Sequence, residues 1–390
     1  MSKAAEFDVI VYGASGFTGR LVAEYLAARG AEGLHWAMAG RNVDKLASVR
    51  AEMGIPASVP LVAADGDDGA SLEAMAKRTK VVLTTVGPYQ LYGNGLVAAC
   101  ACVGTDYVDL CGEPAWMREM IDAHDATAKA SGARIVFSCG FDSIPFDLGV
   151  VYLQTIARER FGVSIARVKG RVRKMKGTFS GGTAASLKAT MAAAARDPRI
   201  VGLLKDPFAL TPDFTGPAQP SGMKPMYDEG IGSWVAPFIM APINTRNVHR
   251  TNFLLGHAFG RDFVYDEMLV TGPGEKGEAM ANAIAGDRSM MKEGGPKPGE
   301  GPSKAEREAG FFDVLFVGEA SDGKTIRVAV TGDKDPGYGA TSKMIAESAI
   351  CLVRDVPDGP GGIVTPGAVM AQPLIRRLQA HAGMTFTVEA

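Results

Sequence analysis

The sequence predicts an α/β chain built on a doubly wound parallel sheet. From residue 7 to about 137, short apolar runs alternate with segments whose apolar side chains recur at helical spacing. The first run, Phe7 to Tyr12, passes straight into a turn with glycines three apart and then into a helix. After Ile144 the rhythm changes, as it would on entering a second domain. A chain of 390 residues has room for two domains, taking roughly 150 residues for each.

In chain order, "FDVIVY" is the first strand and "LVAEYLAARG" the helix that stops at Gly30. Strand and helix then alternate through "LHWAMAG" and "NVDKLASVRAEMG", "PLVAAD" and "DGASLEAMAKR", "KVVLTTVG" and "NGLVAACACVG", and "DYVDLCGE" and "WMREMIDAHDATAKASG". The strand "RIVFSCG" closes the series. Next come a helix in "IPFDLGVVYLQTIARERFG", a long half-exposed strand in "SIARVKGRVRKMKG" and a helix in "TAASLKATMAAAARD". Residues 205 to 245, rich in Pro and Gly, are expected to form a loop or lid, and residues 286 to 303 a flexible insertion. "FFDVLFVGEASDGKTIRVAVTGD" reads as a hairpin turning at "SDGK". The last sixty residues hold the helix "TSKMIAESAICLVRD", a Gly/Pro loop and a final segment "QPLIRRLQAHAG".

Composition narrows the function classes. Hydrophobic residues make up 46% and charged residues 22%, with a net charge of -2, so no basic field is present to hold nucleic acid by its phosphates. The five cysteines form no spaced framework and the five histidines no zinc-ligand spacing, which fits a reducing compartment and no metal. The start "MSKAAEFDVIVYG" enters a strand at once, leaving no room for a secretory leader. The longest apolar stretch, Trp234 to Ile243, contains two prolines and falls short of the ~20 residues of a membrane span. A soluble, cytoplasmic protein is expected.

The glycine turn carries the first functional signal. A pyrophosphate at a helix N-terminus is held by free backbone N–H groups and the positive end of the helix dipole, provided no side chain blocks its approach. Gly13, Gly16 and Gly19 would serve the tight turn, the close approach and the helix-strand packing, with Ser15, Phe17 and Thr18 between them. A bare turn without a ligand is the plain alternative. The second strand ends in Gly40, Arg41 and Asn42, with no carboxylate before Asp44. Where NAD needs an acidic side chain for its ribose hydroxyl, an arginine accommodates a 2′-phosphate, so NADP(H) is the expected cofactor.

At this point the motifs "GASGFTGR", "AGRN", "VGPYQLYG", "GTDYVDLCGE" and "CGFDSIPFDLG" resemble, in order, the saccharopine dehydrogenase-like oxidoreductases, and most strongly the branch of the trans-acting enoyl reductases. "GTAASLKA", "PFIMAPINTRNVHRTN", "GDKDPGYGATSKMIAESAICL" and "GGIVTPGAVM" continue the resemblance over nearly the whole chain. It implies a Rossmann domain of residues 1–144 completed by 335–390, and an inserted α+β domain, 145–334, for substrate and dimerisation. It also implies an NADPH-dependent reductase, with a small-molecule substrate, lipid-like in one form, and a homodimer as one assembly.

In an open α/β sheet the ligand lies across the carboxyl ends of the strands, so the loops there come first. In "TTVGPYQLYGNG", Val86, Gly87 and Pro88 would pass close to the cofactor while Tyr89 offers a phenol. In "DYVDLCGE", Glu113 before Pro114 reads as a helix start. "CGFDSIPFDLG" joins the two domains, and its Cys139, Gly140 and Phe141 are expected beside the nicotinamide. Hydride transfer to a C=C or C=N bond needs a proton donor for the other end of that bond. Tyr89 and Asp142 are the candidate donors and Lys176 the candidate polarising charge; an N-cap is the structural alternative for Asp142. None of the nine tyrosines is followed by lysine four residues on, so the short-chain ketoreductase pattern is absent. Eighteen methionines and "SWVAPFIMAPIN" are compatible with an adaptable apolar pocket. Three functions stay open: an NADPH-dependent enoyl reductase acting on an apolar substrate, a saccharopine-type C=N reductase or amino-acid dehydrogenase for which Arg171, Arg173 and Lys176 could anchor carboxylates, and a non-catalytic NADP(H) sensor.

Overall fold

β1 (Phe7–Tyr12) is buried at all six residues, and the sheet grows outward from it on both sides. The computed structural model describes residues 5–177, 181–287, 300–320 and 322–389. The first half alternates as its apolar runs require: β1, α1 (Phe17–Arg29), β2 (Trp36–Gly40), α2 (Val43–Glu52), β3 (Leu61–Ala63), α3 (Gly69–Ala76) and β4 (Thr79–Thr84). It continues with the short α4 (Tyr89–Tyr92), α5 (Asn94–Val103), β5 (Asp106–Val108), α6 (Pro114–Ser131) and β6 (Arg134–Val136). Gly30, Gly104 and Gly132 end α1, α5 and α6 in the left-handed conformation, which suits a residue without a Cβ.

Beyond the junction loop come α7 (Ile144–Phe161), β7 (Arg167–Lys176), α8 (Gly181–Arg196), α9 (Pro198–Lys205), β8 (Met226–Asp228), β9 (Ser233–Pro237) and α10 (Ala241–Leu254). They are followed by β10 (Val264–Gly272), α11 (Gly274–Gly286), α12 (Lys304–Glu308) and the hairpin β11 (Phe311–Glu319) and β12 (Thr325–Gly332). α13 (Thr341–Arg354), β13 (Gly362–Val364), α14 (Pro366–Val369), α15 (Ala371–His381) and β14 (Met384–Glu389) complete the chain.

Two seven-stranded sheets result. The first, in order β13-β6-β5-β4-β1-β2-β3, is parallel throughout and reverses direction of winding at β1 and β4, as a Rossmann-type sheet does. The second, β14-β12-β11-β7-β10-β9-β8, is antiparallel except where β7 meets β10. α7 packs against β11 and β12, while α13 packs against α1 and onto β1, β4 and β5. Eleven of the fourteen residues of α13 are buried, so this late helix is part of the core beneath the glycine turn.

Two elements of the structure differ from the sequence reading. Residues 205 to 245 are not all loop: β8, β9 and the start of α10 lie there. Pro237 ends a strand and Pro242 sits in the first turn of a helix, positions where a missing N–H costs nothing, so the prolines punctuate elements rather than exclude them. Of the expected insertion 286–303, residues 288–299 lie outside the described residues. Finally, "MTFTVE" forms β14 on the edge of the second sheet, with Met384 and Phe386 turned inward and Thr385 and Thr387 outward. Residues 335–390 therefore serve both sheets: α13 and β13 the first, β14 the second.

Candidate functional site

The glycine turn is built for close approach. Gly13 leaves β1 at φ +86°, and a Cβ there would stand 2.6 Å from Val86 Cγ2. At Gly19 a Cβ would meet the Gly13 carbonyl oxygen at 2.2 Å, so α1 crosses the turn at a distance only glycine allows. Gly16 is the N-cap of α1 and among the described residues no side chain caps this helix, whose first turn lies beside a cavity of about 560 Å³. Ser15, Phe17 and Thr18 line that cavity with Gly13 and Gly16, whereas Gly19 packs behind them. The arrangement fits a pyrophosphate held by backbone donors and the helix dipole. At the tip of β2, Arg41 is exposed, and Asn42 Oδ1 accepts from Lys45 N–H at 2.8 Å as the cap of α2. Neither lines the cavity; Arg41 follows the last residue of β2, while the Asn42 side-chain oxygen is occupied by its own helix.

The loop after β4 forms the next wall. Thr85, Val86, Gly87 and Tyr89 line the cavity and Pro88 does not. The Tyr89 hydroxyl accepts from Leu110 N–H at 3.0 Å and donates to the Thr84 carbonyl at 3.5 Å. Burial pushes this phenol well above its ordinary range. Tyr89 is thus a brace between the ends of β4 and β5, lining the cavity with its hydroxyl engaged by backbone. Beside it Glu113, 2% exposed, accepts from Tyr89 N–H and Gln90 N–H at 2.9 Å each and from Ser186 Oγ at 2.7 Å. Its carboxylate caps α4, although its backbone begins α6.

The junction loop supplies the third wall. Gly140, Phe141 and Asp142 line the cavity, while Cys139 is fully buried behind them and its N–H donates to the Asp109 carbonyl at 2.7 Å. Phe141 N–H donates to Thr341 Oγ1 at 3.0 Å, and its ring meets Phe146 and Phe312 edge-on at 5.5 and 5.1 Å. The N-cap of α7 is Ser143, so Asp142 is not a cap. Among the described residues the Asp142 carboxyl has no hydrogen-bond or ion-pair partner, and burial pushes it up to about 7. Asp109 is pushed up to about 7 by burial as well, yet it accepts from Cys111 N–H, Ser138 N–H and the Tyr107 hydroxyl. Of the two raised carboxyls, one is locked into the strand ends and the other is free at the cavity wall.

Beyond Asp142 the cavity is apolar. Among the described residues Met175, Leu187, Leu204, Met240 and Ile243 line it, with Ser186 and Thr190 as polar points on α8 and Glu300 as a charged one. Strand alternation turns Met175 toward the cavity, and its neighbour Lys176 is exposed and outside the lining, so Lys176 is corrected as a site residue. Arg171 is 1% exposed and bound to Asp228 and Asp266; Arg173 is bound to Asp313 and Glu389. Sequence reasoning read α8 as a helix but missed its place in the cavity wall, and it missed the segment Pro336, Gly337, Tyr338 and Thr341, which covers the glycine turn with Tyr338 set edge-on to Phe17 at 4.7 Å. "DPGYG" carried the only available signal: Asp335 accepts from Tyr338 and Gly339 N–H groups and so pins a tight turn at the head of α13.

The comparisons with known proteins agree with this geometry. Residues 9–136 match the family model described as saccharopine dehydrogenase NADP binding domain. Over 98% of its length the chain is 41% identical to a Mycobacterium tuberculosis protein named, provisionally, a trans-acting enoyl reductase, of which it covers 97%. It is 37% identical, over 96% of both chains, to the trans-acting enoyl reductase of Mycobacterium bovis. Among solved structures, the saccharopine dehydrogenase (L-Glu forming) of Saccharomyces cerevisiae shares the fold at a TM-score of 0.57 and 12% identity, over 98% of this chain and all of that one. The homospermidine synthase of Legionella pneumophila, in complex with NAD, does so at 0.53 and 11%, over 98% of this chain and 92% of that one. No described helix is long and apolar enough to cross a membrane.

Proposed function

The chain belongs to the saccharopine dehydrogenase-like oxidoreductases, in the branch of the trans-acting enoyl reductases, and from that premise we propose that it reduces the C=C bond of an enoyl-type, largely apolar substrate. It is an NADP-dependent oxidoreductase; the bond reduced and the substrate lobe are the added steps. When bound, NADPH supplies the hydride. The chain's own part is to hold the nucleotide at Gly13, Ser15, Gly16 and Thr18, accept its 2′-phosphate at Arg41, and place the unsaturated bond against Phe141 and Asp142. The Asp142 carboxyl holds the proton that the second carbon of the reduced bond takes up. A carboxyl lifted to about 7 is still half protonated at neutral pH, which suits a general acid. Phe141, Met175 and Leu187 keep water from the reacting carbons.

The observation that carries this reading is the free Asp142 carboxyl standing between the glycine turn and an apolar lobe. Among the described residues a carboxylate-rich amino acid would find no open cation of β7 in the cavity lining, because Arg171 and Arg173 are already in ion pairs and the exposed Lys174 and Lys176 lie outside that lining. The test is NADPH oxidation against enoyl thioesters, enones, imines and keto acids. Turnover confined to the enoyl compounds and enones is expected. Turnover of imines or keto acids alone would favour the amino-acid dehydrogenase reading, and tight NADPH binding with no turnover at all would favour a sensor.

A further inference from the structure

α8 and α9 run along one side of the substrate lobe, contributing Ser186, Leu187, Thr190 and Leu204 to its lining. Their attachment differs from that of the walls formed by the glycine turn and by the loops after β4 and β6. α9 has no buried side chain, and in α8 only Gly181 is buried among the residues whose burial is described. Polar bonds hold the pair in place. Ser186 Oγ donates to Glu113 Oε1 at 2.7 Å, Gln90 Nε2 donates to Thr190 Oγ1 at 3.0 Å, and Arg246 of α10 donates to the carbonyls of Leu203 and Leu204 at the end of α9. A segment with little buried apolar surface opens locally at low cost, so these bonds decide how often α8 stands away from the lobe.

Glu113 joins that segment to the nucleotide side. The same buried carboxylate that accepts from Ser186 also accepts from the N–H groups of Tyr89 and Gln90, directly after Val86 and Gly87 on the cavity wall. Oε1 is shared between Tyr89 N–H and Ser186 Oγ, so the orientation of the loop after β4 sets where α8 can be held.

We propose that Glu113 and Ser186 are positioning residues that couple nucleotide binding to closure of α8 over the substrate lobe. The proposal rests on the reading of the cavity as a nucleotide and substrate site. A nucleotide lying against Val86 and Gly87 steadies the start of α4, that steadies the Glu113 carboxylate, and the carboxylate then holds Ser186. Coupling of this kind is reciprocal, so whatever closes α8 also tightens nucleotide binding.

The experiment is hydrogen exchange of the full chain over residues 185–196, with and without saturating NADPH, with nucleotide binding followed separately by titration. In the wild type NADPH should slow exchange in this segment by about tenfold, a middle value for coupled sites. In Ser186→Ala the slowing should vanish while NADPH still saturates the protein, and Ser186→Thr, which keeps a hydroxyl, should restore it. With an enoyl substrate, Ser186→Ala should raise KM by a larger factor than it lowers kcat. Slowing that persists in Ser186→Ala, or NADPH binding to the wild type without any slowing, overturns the coupling alone. Failure of the titration to detect NADPH binding overturns both the coupling and the reading of the site beneath it.

Discussion

Asn247 of α10 donates from Nδ2 to Ser143 Oγ at 2.8 Å, tying the start of α7 to a buried helix immediately beside Asp142. This contact holds the loop from the side of α10, while Thr341 of α13 holds Phe141 from the other. Asp142 is thereby placed between two fixed points with its own carboxyl unpartnered. A neutral carboxyl is the form such a site favours, because burial penalises the charge.

The first prediction follows from that penalty. The folded-state pKa of Asp142 is raised from 3.8 to about 7, so the folded chain binds more protons than the unfolded one between those values and stability falls as pH rises through them. Asp142→Asn removes the titration and keeps the shape. The melting temperature of the variant relative to wild type should therefore rise from pH 5 to pH 8. A difference that stays constant with pH would show that Asp142 carries no raised pKa.

Nucleotide preference gives the second. NADPH should stabilise the protein more than NADH at equal concentration; at a hundredfold excess over its own Kd, linkage makes the NADPH stabilisation about 2.7 kcal/mol in total. Arg41→Ala should abolish the difference without unfolding the chain, because Arg41 is exposed at the tip of β2. Equal melting shifts from both nucleotides in the wild type would remove Arg41 from the account.

A chain ending at Asp335 tests the role of the C-terminal segment. It loses α13 from beneath β1 and β4, β13 from the edge of the first sheet and β14 from the second. The truncated chain should be insoluble or fail to bind NADPH. A soluble product with wild-type NADPH affinity would show the segment to be an appendage.

Legibility followed the range of the forces involved. The strand-helix alternation of residues 7 to 137 was readable because it is local: apolar periodicity and glycine stops act within a few residues. The place of the glycine turn and of the Phe141-Asp142 loop followed from the same logic. Lys176 was misplaced because a strand's facing depends on register against β11, which a sequence does not print. The bracing contact of Tyr89 was hidden for a related reason: only the fold brings Leu110 N–H to its hydroxyl. α10 went unrecognised because Asn244, Arg246, Asn247, His249, Arg250 and Asn252 make it look solvent-facing, yet all are buried between elements distant in the chain. Glu113 read correctly as the start of a helix, but its link to Ser186 spans 73 positions and no spacing could have signalled it.

The most direct measurement is the turnover number of wild type and Asp142→Asn with NADPH and an apolar enoyl thioester at pH 6.5, with NADPH affinity measured alongside. A general acid contributes about a hundredfold or more, so kcat should fall by that factor in Asp142→Asn while NADPH affinity stays near the wild-type value. Wild-type turnover in the variant would contradict the account and take Asp142 out of the mechanism.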